Sequence, residues 1–194
     1  MEITSVQLKE LRDKTGISVM QCKRALEEAD GDMDKAVIIL KKKRSEAAEK
    51  KSDRELGAGC VGVYIHNTNE VASMVLLACE TDFVSKNPEF IALAKDIAMQ
   101  VAATAPTHIA RTEVSEEMIQ KAKEVFAPEV EGKPEEMKEK IMEGKLSSYF
   151  REQILLEQPF IKNPDQTISE MINGAVQKFG ENIAVVKISR VSVK

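Results

Sequence analysis

The side chains in this 194-residue sequence that could do chemistry are few and poorly arranged for it. There are two histidines, His66 and His108, and three cysteines, Cys22, Cys60 and Cys79. A zinc site drawn from His66, Cys60 and Cys79 lacks the fourth ligand of a closed site. Cys79-Glu80 with His66 could suggest a thiol nucleophile, but cysteine is among the most buried residue types, and a core thiol is the competing reading. Phosphate-binding loops fare no better. Gly132-Lys133 and Gly144-Lys145 lack the upstream glycine and the following hydroxyl residue, and Gly57-Ala58-Gly59 opens a strand instead of a helix. No metal, cofactor or directly bound nucleotide is expected, and the chain is not read as an enzyme.

One local group stands apart. Thr81-Asp82-Phe83-Val84 lies between the end of an apolar run and the helix start Asn87-Pro88, and Phe83 belongs to neither neighbouring stripe. Asp82 could cap a short turn while Phe83 plugs the edge of the core, since large apolar residues usually lie inside. Alternatively the acid–aromatic pair protrudes on a loop held by rigid elements, as interface anchors do.

The elements that would position these residues follow from periodicity. A helix from about Ser5 to Lys14 is stopped by Thr15-Gly16, where glycine supplies a left-handed cap. Ser18 can cap a second helix with the inward stripe Cys22, Ala25, Leu26, Ala29. After the turn Asp30-Gly31-Asp32, a third helix offers Met33, Ala36, Val37 and Leu40. Residues from Arg44 to Glu55 are charged and alanine-rich and read as a solvated extension, which sets a domain of residues 1–54 before a second of 55–194. In the latter, Val61, Val63 and Ile65 alternate with Cys60, Tyr64 and His66 as a strand, and Asn67-Thr68-Asn69 makes a turn. Val71 to Cys79 is a second strand, apolar on both faces, which demands cover on both sides. Helices can cover one; a second copy of the sheet is the expected cover of the other, hence a homodimer. Phe90, Leu93, Ala94, Ile97, Ala98 and Val101 form a helix stripe. Residues 109–114 read as extended, Ser115 starts a helix carrying Ile119, Ala122 and Phe126, and a break is expected over 128–134. A further helix spans about 135–157, with a bend near Gly144, and Pro159 stops it. Thr167-Ile168-Ser169-Glu170 is a capping box launching the last helix, closed by Gly180. A strand over 183–193 ends the chain. The fold class is α+β: a three-helix bundle, then a small, mostly antiparallel three-stranded sheet packed with helices.

Composition narrows the function. The net charge of −4 argues against a phosphate-tracking surface, and the basic run Lys41 to Arg44 is interleaved downstream with Glu46 and Glu49, so no direct nucleic-acid partner is expected. No apolar run approaches the roughly 20 residues of a membrane helix, and Met1-Glu2-Ile3-Thr4 is unlike a secretory leader. Scattered cysteines fit a reducing, cytoplasmic setting.

Several stretches, in order, resemble the bacterial-type translation elongation factor Ts family. They are Leu11-Arg12-Asp13-Lys14-Thr15-Gly16 with Met20-Gln21-Cys22-Lys23-Arg24-Ala25-Leu26, then Cys79-Glu80-Thr81-Asp82-Phe83-Val84. Later come Glu143-Gly144-Lys145-Leu146 and Leu155 to Phe160. The resemblance implies a ubiquitin-associated-like first domain and the short form with one core module, whose members pair as dimers. It implies guanine-nucleotide exchange on elongation factor Tu. In that reading Asp82 and Phe83, flanked by Thr81 and Val84, press on the GTPase and disturb its magnesium and phosphate site. His66 helps wedge its helices, and Arg12, Val19 and Met20 dock the first domain. Val19 departs from the family's usual methionine there, and Ser85 from its alanine. The competing reading is an adaptor whose first domain takes ubiquitin-like or nascent-chain partners; it leaves the matches across the core unexplained.

Overall fold

The computed structural model describes residues 3–132 and 134–193. Met1 and Glu2, which read as unlike a secretory leader, Lys133, which reads as no part of a phosphate loop, and Lys194 lie outside the described residues. The chain opens with three helices, α1 (Ser5–Thr15), α2 (Val19–Glu28) and α3 (Met33–Glu49). Each has its own start signal. The Thr4 and Gln7 side chains and backbones bond reciprocally, Ser18 accepts from the Gln21 amide, and Asp32 accepts from the amides of Asp34 and Lys35. Gly16 takes the left-handed conformation that ends α1, with φ of 67°. The three helices enclose their own core of Leu11, Ile17, Cys22, Ala25, Leu26, Ala29, Ala36 and Leu40.

The stretch after Arg44 extends α3 and is mostly exposed, as expected, but it is not solvated throughout. Helix α3 runs on to Glu49, Arg44 is partly buried, and Ala48 packs against the second hydrophobic core. The physical reason is that the charged residues here have partners on a helix close to the C-terminus, α8 (Ile168–Phe179). Arg44 donates from Nη2 to the Thr15 carbonyl at 3.0 Å and from Nε to Gln177 at 3.2 Å, Lys41 pairs with Glu170 at 2.9 Å, and Gln177 donates to Gln21 at 3.0 Å. A charge run that reads as solvated from sequence becomes the seam between bundle and core.

The sheet is antiparallel in the order β1 (Ala58–Ile65), β2 (Val71–Cys79), β5 (Ile183–Ser192), so the expected α+β class holds. One residue of β5, Val186, is extra at the irregularity between Leu76 and Leu77. Helix α5 (Pro88–Thr104), started by Asn87 and Pro88 as the sequence indicates, covers the inner face with α8. Its approach requires Gly62: a Cβ there would lie 2.2 Å from the Ala94 carbonyl oxygen. The other face carries Val61, Val63, Ile65, Met74, Leu76 and Val191, all exposed, in the cross-strand rows Val61–Leu76, Val63–Met74 and Ile65–Ala72–Val191.

Between these elements lies a helical pair, α6 (Glu116–Val130) and α7 (Glu135–Gln153), with its own small cluster of Ala122, Phe150 and Ile154. Three expectations change here. Helix α6 continues through Pro128 and ends two residues later at Val130, although the proline has no amide hydrogen to donate back to the Glu124 carbonyl. The 109–114 stretch winds into a 3-10 turn at Arg111–Glu113, held by the Glu113 carboxylate accepting from the Ile109 amide at 2.8 Å. Helix α7 passes through Gly144 but stops at Gln153; a separate 3-10 turn, Leu155–Glu157, follows, with Arg111 paired to Glu157. A short hairpin, β3 (Pro159–Phe160) and β4 (Asn163–Thr167), then leads into α8 through the predicted capping box.

Candidate functional site

The residues Cys79 to Ser85 turn the chain from strand into helix. Cys79 is the last residue of β2 and is buried; its thiol donates to the Thr81 carbonyl at 3.2 Å. Burial, then Glu181 and the neighbouring Cys60, pushes this thiol above its ordinary range, the opposite of what a nucleophilic thiolate needs. Cys60 is likewise raised by burial. The thiol-enzyme reading loses its chemistry at this point. Among the described residues, no group of three or more histidines, cysteines or acids is placed to hold a metal ion.

Beyond Cys79 comes a one-turn helix, α4 (Asp82–Ser85). Thr81 is its cap, accepting from the Val84 amide, so the capping role considered for Asp82 belongs to its neighbour. Val84 and Ser85 point inward and are buried. Asp82 and Phe83 point outward, and Phe83 is 83% exposed. The ring therefore does not plug the core edge: the short helix buries its Val84–Ser85 side and leaves Phe83 on the other. Asp82 accepts from Lys86 at 2.6 Å, one helical turn on, and this bond followed by the lysine charge holds its carboxyl below the usual range.

The turn is braced from a distant part of the chain. The Glu181 carboxylate, just after α8, accepts from the amides of Glu80 and Thr81 at 3.1 and 3.0 Å and from the Thr81 hydroxyl at 2.6 Å. In return the Glu80 carboxylate accepts from the Asn182 amide at 2.6 Å and from Arg54 at 3.3 Å. That amide bond, ahead of the arginine, lowers the Glu80 carboxyl. Asn182 then donates to the carbonyls of Ser52 and Arg54 at 3.1 and 2.9 Å, which ties in the segment arriving from α3. Sequence reading missed Glu181 and Asn182 because no local pattern relates them to residues a hundred positions earlier.

The remaining predicted residues stand elsewhere. Val19 and Met20 open α2 and are 46% and 62% exposed; Arg12 is exposed on α1. The bundle thus leaves Val19 and Met20 out of its core. His66 follows β1 at the hairpin turn, where its amide donates to the Val71 carbonyl and its ring lies 3.3 Å from the Tyr64 hydroxyl. It is exposed and is not a core residue. Since β2 runs from Val71 to Cys79, at about 3.3 Å per residue the histidine and the Asp82–Phe83 turn sit roughly 26 Å apart, at opposite ends of the strand. One copy of the chain brings Thr81, Asp82, Phe83 and Val84 together and holds His66 and the bundle residues apart from them.

Comparison with known proteins gives the family. The family model described as "Elongation factor TS" matches residues 44–194. An elongation factor Ts from Thermodesulfovibrio yellowstonii is 48% identical over 194 residues, covering 100% of this chain and 97% of that protein. One from Heliobacterium modesticaldum is 48% identical over 190 residues, 97% of this chain and 88% of that protein. One from Carboxydothermus hydrogenoformans is 47% identical over 190 residues, with the same shares of 97% and 88%. The family model covers the core and the relatives span bundle and core together, and the chain belongs to the elongation factor Ts family.

Proposed function

We propose that this protein is a guanine-nucleotide exchange factor of translation elongation, which binds elongation factor Tu carrying GDP and speeds GDP release by disturbing the GTPase's magnesium and phosphate site. The observation that carries the reading is Phe83: a large aromatic ring 83% exposed on a helical turn whose other side is buried. An unburied phenylalanine on a braced support is poised to be buried in a partner.

Exchange needs no nucleophile and no proton transfer. The factor must bind the empty GTPase better than the loaded one, and by linkage the factor and the nucleotide then weaken each other by the same ratio. A ten-thousandfold faster release corresponds to about 5.5 kcal/mol of barrier lowering. Burying one phenylalanine supplies about 1.5–3 kcal/mol of that; the rest would come from loosened contacts around the partner's own magnesium. In this scheme Asp82, fixed as a carboxylate by Lys86, flanks the wedge, while Thr81 and Val84 hold it. Arg12, Val19 and Met20 dock residues 1–54 as one domain, and 55–194 form the second. The separate hydrophobic cores of bundle and sheet support that division.

The exposed rows of Val61, Val63, Ile65, Met74 and Leu76 support a homodimer formed through the outer face of the sheet. His66 acts as a second contact. With one copy a GTPase would have to span the whole hairpin to reach both His66 and Phe83; in a dimer the histidine can come from the other copy. The setting is the cytoplasm, and no helix of the described residues is long and apolar enough to cross a membrane. The test is release of a fluorescent GDP from elongation factor Tu at fixed magnesium. Strong acceleration by this protein is expected; no acceleration by a folded sample would move the adaptor reading forward.

A further inference from the structure

We infer that Glu181 is a positioning residue for exchange, which holds the Asp82–Phe83 turn in its presenting conformation by way of Thr81; the inference rests on the exchange reading above. The Thr81 hydroxyl has one proton and two lone pairs. Its proton goes to Glu181 at 2.6 Å, the length of a strong charge-assisted bond. The lone pairs therefore face the Val84 amide, which donates to this oxygen at 3.5 Å and so caps α4. The second Glu181 oxygen takes the amides of Glu80 and Thr81, both of which precede the helix and have no partner within it. One carboxylate thus fixes the backbone on the near side of the wedge and orients the hydroxyl that starts it.

The device is needed because α4 has only four residues. A helix of one turn does not persist on propensity alone. Its Val84 and Ser85 are buried, which sets its depth and the side it turns outward, but two buried side chains do not by themselves hold a single turn of backbone in helical form. Glu181 itself is set by Gly180, whose left-handed conformation, φ 77°, closes α8 and turns the chain toward β2. The adjacent Glu80–Asn182 bond repeats the tie in the opposite sense.

The experiment measures stimulated GDP release from elongation factor Tu over a range of factor concentrations. Because the proposed docking through Arg12, Val19 and Met20 does not depend on the turn, Glu181→Ala should lower the maximal rate about fivefold to thirtyfold, the penalty of an uncapped helix, with the half-saturating concentration nearly unchanged. Glu181→Gln should recover most of the rate, since its oxygen accepts both amides and its nitrogen can donate to the Thr81 hydroxyl. Thr81→Val, which removes the cap oxygen but keeps both amide bonds to Glu181, should also lower the maximal rate, and the double variant should be slower by less than the product of the two single effects. Amide hydrogen exchange in the free Glu181→Ala protein should speed up at Val84. A full maximal rate in Glu181→Ala, with only a lowered melting temperature, overturns the positioning role. Should that variant not fold, Thr81→Val carries the test, and a full rate there overturns it equally. If wild type accelerates release and Phe83→Ala is slow while these variants are fast, the positioning role alone is refuted. If wild type itself has no effect, the exchange reading fails and this inference with it.

Discussion

Replacing Phe83 by alanine separates the two things a phenylalanine can do. At 83% exposure the ring contributes little to the fold, so its removal belongs with surface substitutions, within about 0.5 kcal/mol of neutral. For a chain of 194 residues that moves the melting temperature by about 2 °C at most. In the complex the account reverses. If the ring is fully buried against the GTPase as nucleotide leaves, its loss costs about 1.5–3 kcal/mol, which is about tenfold to 150-fold in stimulated release at 1.36 kcal/mol per decade. The assay pairs thermal unfolding with fluorescent-GDP release, each at several concentrations of factor. A wedge acting during release lowers the maximal rate; a ring that merely docks raises the half-saturating concentration and leaves the maximum alone. Unfolding of Phe83→Ala, or an unchanged rate throughout, would refute the reasoning.

Other outcomes follow from single features. Gly62→Ala should destabilise by about 3 kcal/mol, because the new Cβ meets the Ala94 carbonyl of α5 and a helix backbone has to move; thermal or urea unfolding reads this. Val63→Lys should leave the fold intact and yield a monomer in analytical ultracentrifugation at tens of micromolar, since Val63 lies in the middle row of the exposed sheet face, beside Met74. A wild-type monomer at that concentration would sink the dimer. Stability should fall on acidification below the ordinary glutamate value of 4.5. The folded Glu80 carboxyl is lowered, so its contribution is complete above the unfolded value and disappears as pH drops through the folded one. Glu80→Gln should flatten that part of the unfolding profile.

Much of this was legible in the sequence, for reasons that also explain the exceptions. Cys22, Ala25 and Leu26 repeat at helical spacing, and Thr167 to Glu170 spell a cap, so the bundle and α8 announce themselves. The alternating Val61, Val63 and Ile65 announced a strand, and they fall on its exposed side. What escaped depended on distant partners. Arg44 looks solvated until Thr15 and Gln177 approach it, and Pro128 reads as a break unless the helix end is known to lie two residues on. The β3–β4 hairpin was hidden by Pro159, which reads as a stop. Within the candidate site, Phe83 was visible as a misfit between two stripes, but its outward aim was only one of two readings, because large apolar residues usually lie inside.

Helix α8 touches both candidate contact regions: Gln177 is tied to Gln21 beside Met20, and Glu181, just past its end, holds Thr81 beside Phe83. If those regions are the contacts, as proposed, the molecule works as a calliper with a locked joint. A GTPase gripped by one jaw meets the other at a preset separation, so the second contact is made intramolecularly, at an effective concentration fixed by geometry instead of by the amount of factor in solution. Loosening the joint at Arg44 or Gln177 would leave both jaws intact and still weaken the grip, because each would then have to find its seat by itself.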